Sequence, residues 1–338
     1  MIRRSRALAA TLLAAVLLTA TACGSSDDKD SPSGGKIDKV GYVTAFGAVG
    51  RDSFVWVAKE KGFFKEAGID VTIDLGAGNV PNLTKLKAGQ VQFAALDFTG
   101  AVIQSGLGKF TDWRAVAAVH QQTLVSIMTT KDTGITGPKD LPGKTVATGA
   151  GSVSELLFPA YAKLAGIDPK QVKIQGAPTT ALNGLMASRK VDALSTFLLS
   201  EKALQTVSKK EVVVMPYSTY LSDLFGNAII TTPELISSNR DLVKRFTDAA
   251  MKGLQYTVDH PDEAAAILNK DQTTAKVPAA VGEITAMKPY VAPPAGAPIG
   301  HLDQERVAKG IAILAGAGLM PTGLTPDKIV DFSFIPAS

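Results

Sequence analysis

Leu83-Thr84-Lys85-Leu86-Lys87-Ala88-Gly89-Gln90-Val91-Gln92-Phe93-Ala94-Ala95-Leu96-Asp97-Phe98 reads as a short helix, a glycine stop and a strand that ends in a loop. The same order returns, with one inserted residue, in Leu182-Asn183-Gly184-Leu185-Met186-Ala187-Ser188-Arg189-Lys190-Val191-Asp192-Ala193-Leu194-Ser195-Thr196-Phe197. Chance can supply an echo between two helix–strand units. The reading it supports is two lobes of similar architecture, each contributing the loop after this strand to a shared cleft.

The flanking sequence fits that plan. From Lys39 onward, short β-branched runs alternate with helical patterns, the mark of α/β units built on largely parallel sheets. Val40-Gly41-Tyr42-Val43 is a first strand. A glycine-bearing loop from Thr44 to Arg51 follows, then a helix starting near Asp52-Ser53 that buries Phe54, Val57 and Ala58. Ile69-Asp70-Val71-Thr72-Ile73 alternates as a second strand. Two β-rich runs, Leu124 to Thr130 and Asn227 to Thr232, read as the chain crossing between lobes. They predict a discontinuous first lobe, residues 37–125 and 230–338, its C-terminal part helical from Pro233, and a second lobe over 126–229. Two crossings make a hinge, and hinge closure is a common way for two lobes to trap a ligand. A mature chain of a little over 300 residues also exceeds the size at which one core keeps growing.

At the N-terminus, Met1-Ile2-Arg3-Arg4-Ser5-Arg6 precedes an uncharged Ala- and Leu-rich run to Ala22, the charged and apolar regions of an export signal over 1–22. The run is too short for a membrane-spanning helix. Leu18-Thr19-Ala20-Thr21-Ala22-Cys23-Gly24 resembles the lipobox of bacterial lipoproteins, with Ala20 where Leu is usual. That resemblance implies that Cys23 is diacylated and tethers the protein to the membrane, two acyl chains giving a stable anchor where one would not. Cys23 is the one cysteine, so no intramolecular disulfide can form. Residues 23–36 are small and polar and read as a flexible tether. Loss of Arg3, Arg4 and Arg6 with the signal takes the formal charge from +4 to +1, which carries no nucleic-acid footprint.

Three stretches then point to a family. Lys59-Glu60-Lys61-Gly62-Phe63-Phe64-Lys65-Glu66-Ala67-Gly68-Ile69-Asp70-Val71, Leu86-Lys87-Ala88-Gly89-Gln90-Val91-Gln92-Phe93-Ala94 and Asp140-Leu141-Pro142-Gly143-Lys144-Thr145-Val146-Ala147 occur in order. Together the region from about Ile37 to about Phe246 resembles the periplasmic binding proteins for aliphatic sulfonates, nitrate, taurine and thiamine-pyrimidine precursors. The resemblance implies a bilobal type II binding-protein fold, no catalysis, no cofactor, and an ABC permease partner in the membrane. The motifs build the scaffold and leave the cleft loops free, so they do not name the ligand.

Candidate ligand contacts are strand-end and loop residues: Thr44 and Phe46, Asp97 and Phe98, His120 and Gln121, Gly151 and Ser152, Thr196 and Phe197. Val146-Ala147-Thr148-Gly149-Ala150-Gly151-Ser152-Val153-Ser154-Glu155 runs from strand through a small-residue loop into a helix. Free N–H groups at such a start suit an acceptor-rich ligand, although Ser152 and Glu155 also fit an ordinary capping box. The aromatics suit stacking on a flat ligand or, equally, core packing. An inward Asp97 favours an amino group or protonated ring nitrogen over a bare anion, its alternative being a helix cap. Those readings order the solutes as pyrimidine precursor or related heterocycle, then sulfonate or taurine, then nitrate or bicarbonate.

Other chemistries find little support. His120, His260 and His301 lack metal-ligand spacing, and His260, in Asp259-His260-Pro261-Asp262, reads as a helix boundary. Gly149-Ala150-Gly151 has Ser154 where a dinucleotide fingerprint has its third glycine, and Gly106-Leu107-Gly108-Lys109 lacks P-loop spacing. No G-x-S-x-G elbow, H-E-x-x-H helix or cysteine nucleophile is present. One cleft per chain suggests a monomer. The competing readings are an enzyme of the same fold that builds a pyrimidine, which an export signal opposes, and a ligand-sensing lipoprotein.

Overall fold

The computed structural model describes residues 37–335; the expected export signal, Cys23 and tether lie outside the described residues. Ten strands are present: β1 (Asp38–Val43), β2 (Ile69–Asp74), β3 (Phe93–Asp97), β4 (Arg114–Ala118), β5 (Val125–Thr130), β6 (Thr145–Gly149), β7 (Lys173–Ala177), β8 (Ala193–Phe197), β9 (Val212–Pro216) and β10 (Asn227–Thr231). They form two five-stranded sheets of order β2-β1-β3-β10-β4 and β7-β6-β8-β5-β9.

The two sheets share one plan. In each, the second-listed strand pairs in parallel with the first and third, and the fourth runs antiparallel to both its neighbours. β3 and β8, the strands of the sequence echo, hold the same third place. β5 and β10 hold the same fourth place, and each is the first strand laid down after the chain arrives from the other sheet. The two β-rich crossing runs are therefore interior strands themselves, and the passages between sheets precede them, at 119–124 and 217–226.

Burial follows position in the sheet. β3, β5 and β10 are buried along their whole length, as expected where helices cover both faces, whereas edge strand β7 is half open. Over the first sheet lies the long helix Arg240–Asp259, whose Phe246 ring stacks on Phe93 at 3.8 Å and contacts Phe64 and Tyr42 at 5.1 and 5.9 Å. Each such aromatic contact adds about 0.5–1.5 kcal/mol beyond area burial. Helix Val277–Val291 packs on the turn Gly50–Asp52 of the first lobe and on the turn Leu198–Ser200 and helix Glu201–Ser208 of the second. One apolar cluster contains residues of both sheets, among them Ala94 and Ile230 of the first and Ile127 and Val146 of the second.

The two passages run side by side. His120 N–H donates to the Asn227 carbonyl at 3.0 Å, Gly226 N–H donates to the His120 carbonyl at 3.2 Å, and Asn227 N–H donates to His120 Nδ1 at 3.2 Å. Gly226 is required there: a Cβ on it would meet the Gln122 carbonyl at 2.8 Å and His120 Cβ at 2.9 Å. Among the described residues no helix is long and apolar enough to cross a membrane.

Candidate functional site

The loop after β1 is fixed from several sides. The Thr44 hydroxyl donates to the Gly47 carbonyl at 2.7 Å and accepts from Gly76 N–H at 2.9 Å. Fully buried Asn82 donates through Nδ2 to the Thr44 and Ala95 carbonyls, at 2.8 and 2.9 Å, so the loop after β1 is anchored to strand β3. Asp52 Oδ1 accepts from Ala45 N–H at 3.0 Å. What this framework presents is the turn Gly50–Asp52, with Arg51 facing the second lobe.

Arg51 is the electrostatic centre. Its guanidinium lies 5.2 Å from the centre of the Phe197 ring at the end of β8. Its Nε is 3.6 Å from Asp52 Oδ2, and its charge is felt by Asp97, His120 and Glu283 as well. Asp97 caps helix Phe98–Gly106, accepting from Gly100 N–H at 2.7 Å through Oδ1, while Oδ2 is buried without a partner. Burial pushes its pKa up to about 7 against the opposing pull of the Gly100 N–H and Arg51. Burial, then the Arg51 charge, pushes His120 down to about 3, so its ring is neutral at pH 7; its Nε2 is also buried and unpartnered. Burial likewise raises the Asp52 and Glu283 carboxyls. Buried polar atoms without partners cost about 1–3 kcal/mol each, so Arg51 Nε, Asp52 Oδ2, Asp97 Oδ2, His120 Nε2 and Glu283 Oε2 together form a concentration of unmet hydrogen-bonding capacity.

A cavity of about 310 Å³ lies between the lobes, walled from the first by Phe46, Val49, Arg51 and Glu283 and from the second by Thr179, Thr180, Thr196, Phe197, Leu199, Ser200 and Ala203. Asp97 and His120, although within reach of the Arg51 charge, do not line this wall. The second lobe is well satisfied here: Thr148, Ser154 and Ser152 hydroxyls are linked at 3.0 and 2.7 Å, and Ser195 bonds the Ser154 carbonyl and the Tyr217 hydroxyl. The lobes also approach at Gly100, where a Cβ would stand 3.6 Å from Val153.

Of the strand-end residues singled out in the sequence, Phe46, Thr196 and Phe197 line the cavity. Others are occupied elsewhere. Thr44 closes its own loop. Phe98 is core, edge-on to Trp113 and Phe225 at 6.1 and 6.0 Å, because it opens a helix whose first turn is buried. Gln121 donates to the His301 carbonyl at 2.9 Å and accepts from Arg306 at 3.3 Å, which fastens the passage between lobes. Gly151, at φ 69°, donates to Glu155 at 2.5 Å, and Ser152 bonds Ser154 rather than capping the helix, which is only Val153–Leu156. Neither lines the cavity. His260 joins two helices as expected, and no group of three or more His, Cys, Asp or Glu among the described residues could hold a metal ion. Arg51 and Glu283 escaped the sequence reading. Arg51 looks like any loop arginine, and Glu283 reaches it from a helix more than two hundred positions away.

The NMT1/THI5-like family profile matches residues 53–264, well over half of the chain. The chain belongs to this family. Among curated relatives, it is 24% identical over 227 residues to the formylaminopyrimidine-binding protein of Halalkalibacterium halodurans, covering 67% of this chain and 68% of that protein. It is 26% identical over 215 residues to the riboflavin-binding protein RibY of Chloroflexus aurantiacus, covering 62% of this chain and 59% of that protein. Among solved structures, the periplasmic aliphatic sulphonate binding protein SsuA of Escherichia coli superposes with a TM-score of 0.69 at 16% identity, over 87% of this chain and 92% of that one. At that identity the likeness establishes the fold, a bilobal periplasmic-binding-protein architecture.

Proposed function

We propose that this protein is the extracytoplasmic solute-binding lipoprotein of an ABC importer and that it closes its two lobes on a small organic solute. The observation that carries this reading is the inter-lobe cavity of about 310 Å³, walled by strand-end and helix residues of both lobes around a half-buried arginine. Ligand sites of open α/β sheets lie beyond the carboxyl ends of parallel strands, which is where Phe46, after β1, and Phe197, at the end of β8, are placed. The first lobe comprises the first sheet with the C-terminal helices, the second comprises the second sheet, and the passages at 119–124 and 217–226 are the hinge. Pyrimidine-type heterocycles lead the candidate solutes, followed by sulfonates or taurine and then nitrate. The names of the two curated relatives support that order. The permease is the partner, Cys23 carries the lipid, and the protein acts as a monomer without chemistry of its own.

The test uses protein lacking residues 1–23, unfolded and refolded to strip carried-over solute, then melted with aminopyrimidines, riboflavin, taurine, alkanesulfonates and nitrate. One class should raise the melting temperature in a saturable way, since a ligand that binds only the folded state stabilises it. A folded protein whose melting temperature none of them moves contradicts the reading. For the anchor, the full chain should take up labelled palmitate in a bacterial host and Cys23→Ser should not; equal labelling would remove the lipid from the account.

A further inference from the structure

Arg51 differs from other arginines that this fold half-buries. Arg245 donates to Asp241, Asp38 and the Ala67 carbonyl, and Arg306 donates to the side chain and carbonyl of Gln121 and to the Ser222 carbonyl. Arg51, with its side chain only 13% exposed, has no such set of partners: its Nε is buried without a hydrogen-bond partner, and its nearest acid, Asp52 Oδ2, is 3.6 Å away. A guanidinium carries five N–H donors in a fixed planar fork. Here the fork lies on the cavity wall, beside the ring of Phe197.

We propose that Arg51 decides which solute the cleft accepts, by donating hydrogen bonds to a carbonyl-type oxygen on an uncharged, flat heterocycle held between the lobes. The proposal rests on the solute-binding reading above and narrows it. Three features choose this chemistry. The donors demand an acceptor on the solute. Asp52 Oδ2 stands 3.6 Å from Arg51 Nε and Glu283 lines the same cavity wall, so an incoming anion would meet carboxyls as well as the arginine, and a neutral oxygen avoids that repulsion. Phe46 and Phe197 line the cavity from opposite lobes, and aromatic side chains there suit a flat solute. Sulfonates and nitrate are thereby placed outside the preferred class. Arg51 belongs to the first lobe and Phe197 to the second, so a solute bonded to the arginine is read only as the lobes come together.

The experiment is calorimetric titration of the refolded, solute-free protein with four probes. These are a formamidomethyl-aminopyrimidine, its propyl analogue that keeps the ring and amino group but lacks the carbonyl, ethanesulfonate, and nitrate. The wild type should bind the carbonyl-bearing probe about tenfold or more tighter than the propyl analogue, the scale of a hydrogen bond to a charged group. Arg51→Gln should bring the two affinities to within about twofold, and Arg51→Lys, which keeps charge but not the fork, should fall between. A looser cleft weakens both heterocycles alike, so the ratio separates recognition from a structural role, with circular dichroism confirming that each variant folds. An unchanged ratio in Arg51→Gln overturns the proposal. Tighter binding of ethanesulfonate or nitrate than of either heterocycle also overturns it but leaves the receptor reading standing. Binding of none of the four by folded wild type overturns both.

Discussion

The Asp97 carboxyl is divided: one oxygen is bound by Gly100 N–H, the other buried without a partner. Raised from 3.8 to about 7, this group favours the fold most below about pH 4, and its contribution is lost as the pH rises through 7. His120 works in the opposite sense. Lowered from 6.5 to about 3, it favours the fold above pH 6.5 and weakens it as the pH falls towards 3. Asp97→Asn keeps a cap acceptor and removes the ionisation. Its melting temperature relative to wild type should therefore climb from pH 4 to about pH 7 and level off above, and a difference independent of pH would contradict the assigned environment. Residue roles were only partly legible in the sequence. Strand-end position singles out Phe46, Thr196 and Phe197, which reach the cavity, but equally Thr44, Phe98 and Gln121, whose atoms are engaged within the protein. Which side of a strand end faces a cleft depends on how the following loop is tied. That is set by partners such as Asn82 and Arg306, distant in sequence.

Helices and strands were more readable than side-chain roles, because periodicity is local. The echo between Leu83–Phe98 and Leu182–Phe197 corresponds to equivalent third strands in two sheets of equal plan. The fourth strands were harder to place: Val125–Thr130 and Asn227–Thr231 look like crossings, and antiparallel insertion into a distant sheet leaves no local signature. Close helix packing is likewise a property of pairs of elements. In helix Arg240–Asp259 a Cβ on Gly253 would come within 2.4 Å of the Phe54 carbonyl, against backbone that cannot step aside. Gly253→Ala should cost about 1–3 kcal/mol by forcing apart that helix and Phe54–Glu60. In helix Val277–Val291, Gly282 has no neighbour nearer than 4.0 Å, and Gly282→Ala should stabilise by up to about 1 kcal/mol through helix propensity. Urea midpoints check both; equal shifts of the same sign would contradict the packing described.

At the scale of the molecule, two sheets of one plan are joined by adjacent passages, with helix Val277–Val291 packed on both lobes. On the proposed reading, closure of the lobes brings Arg51 of the first and Phe197 of the second onto one solute. The measurement that tests this most directly is hydrogen–deuterium exchange, with and without a saturating amount of whichever solute raises the melting temperature. Protection should appear together in residues 45–52 of the first lobe, in 196–203 of the second, and around Glu283. Protection confined to one lobe would contradict binding between the lobes.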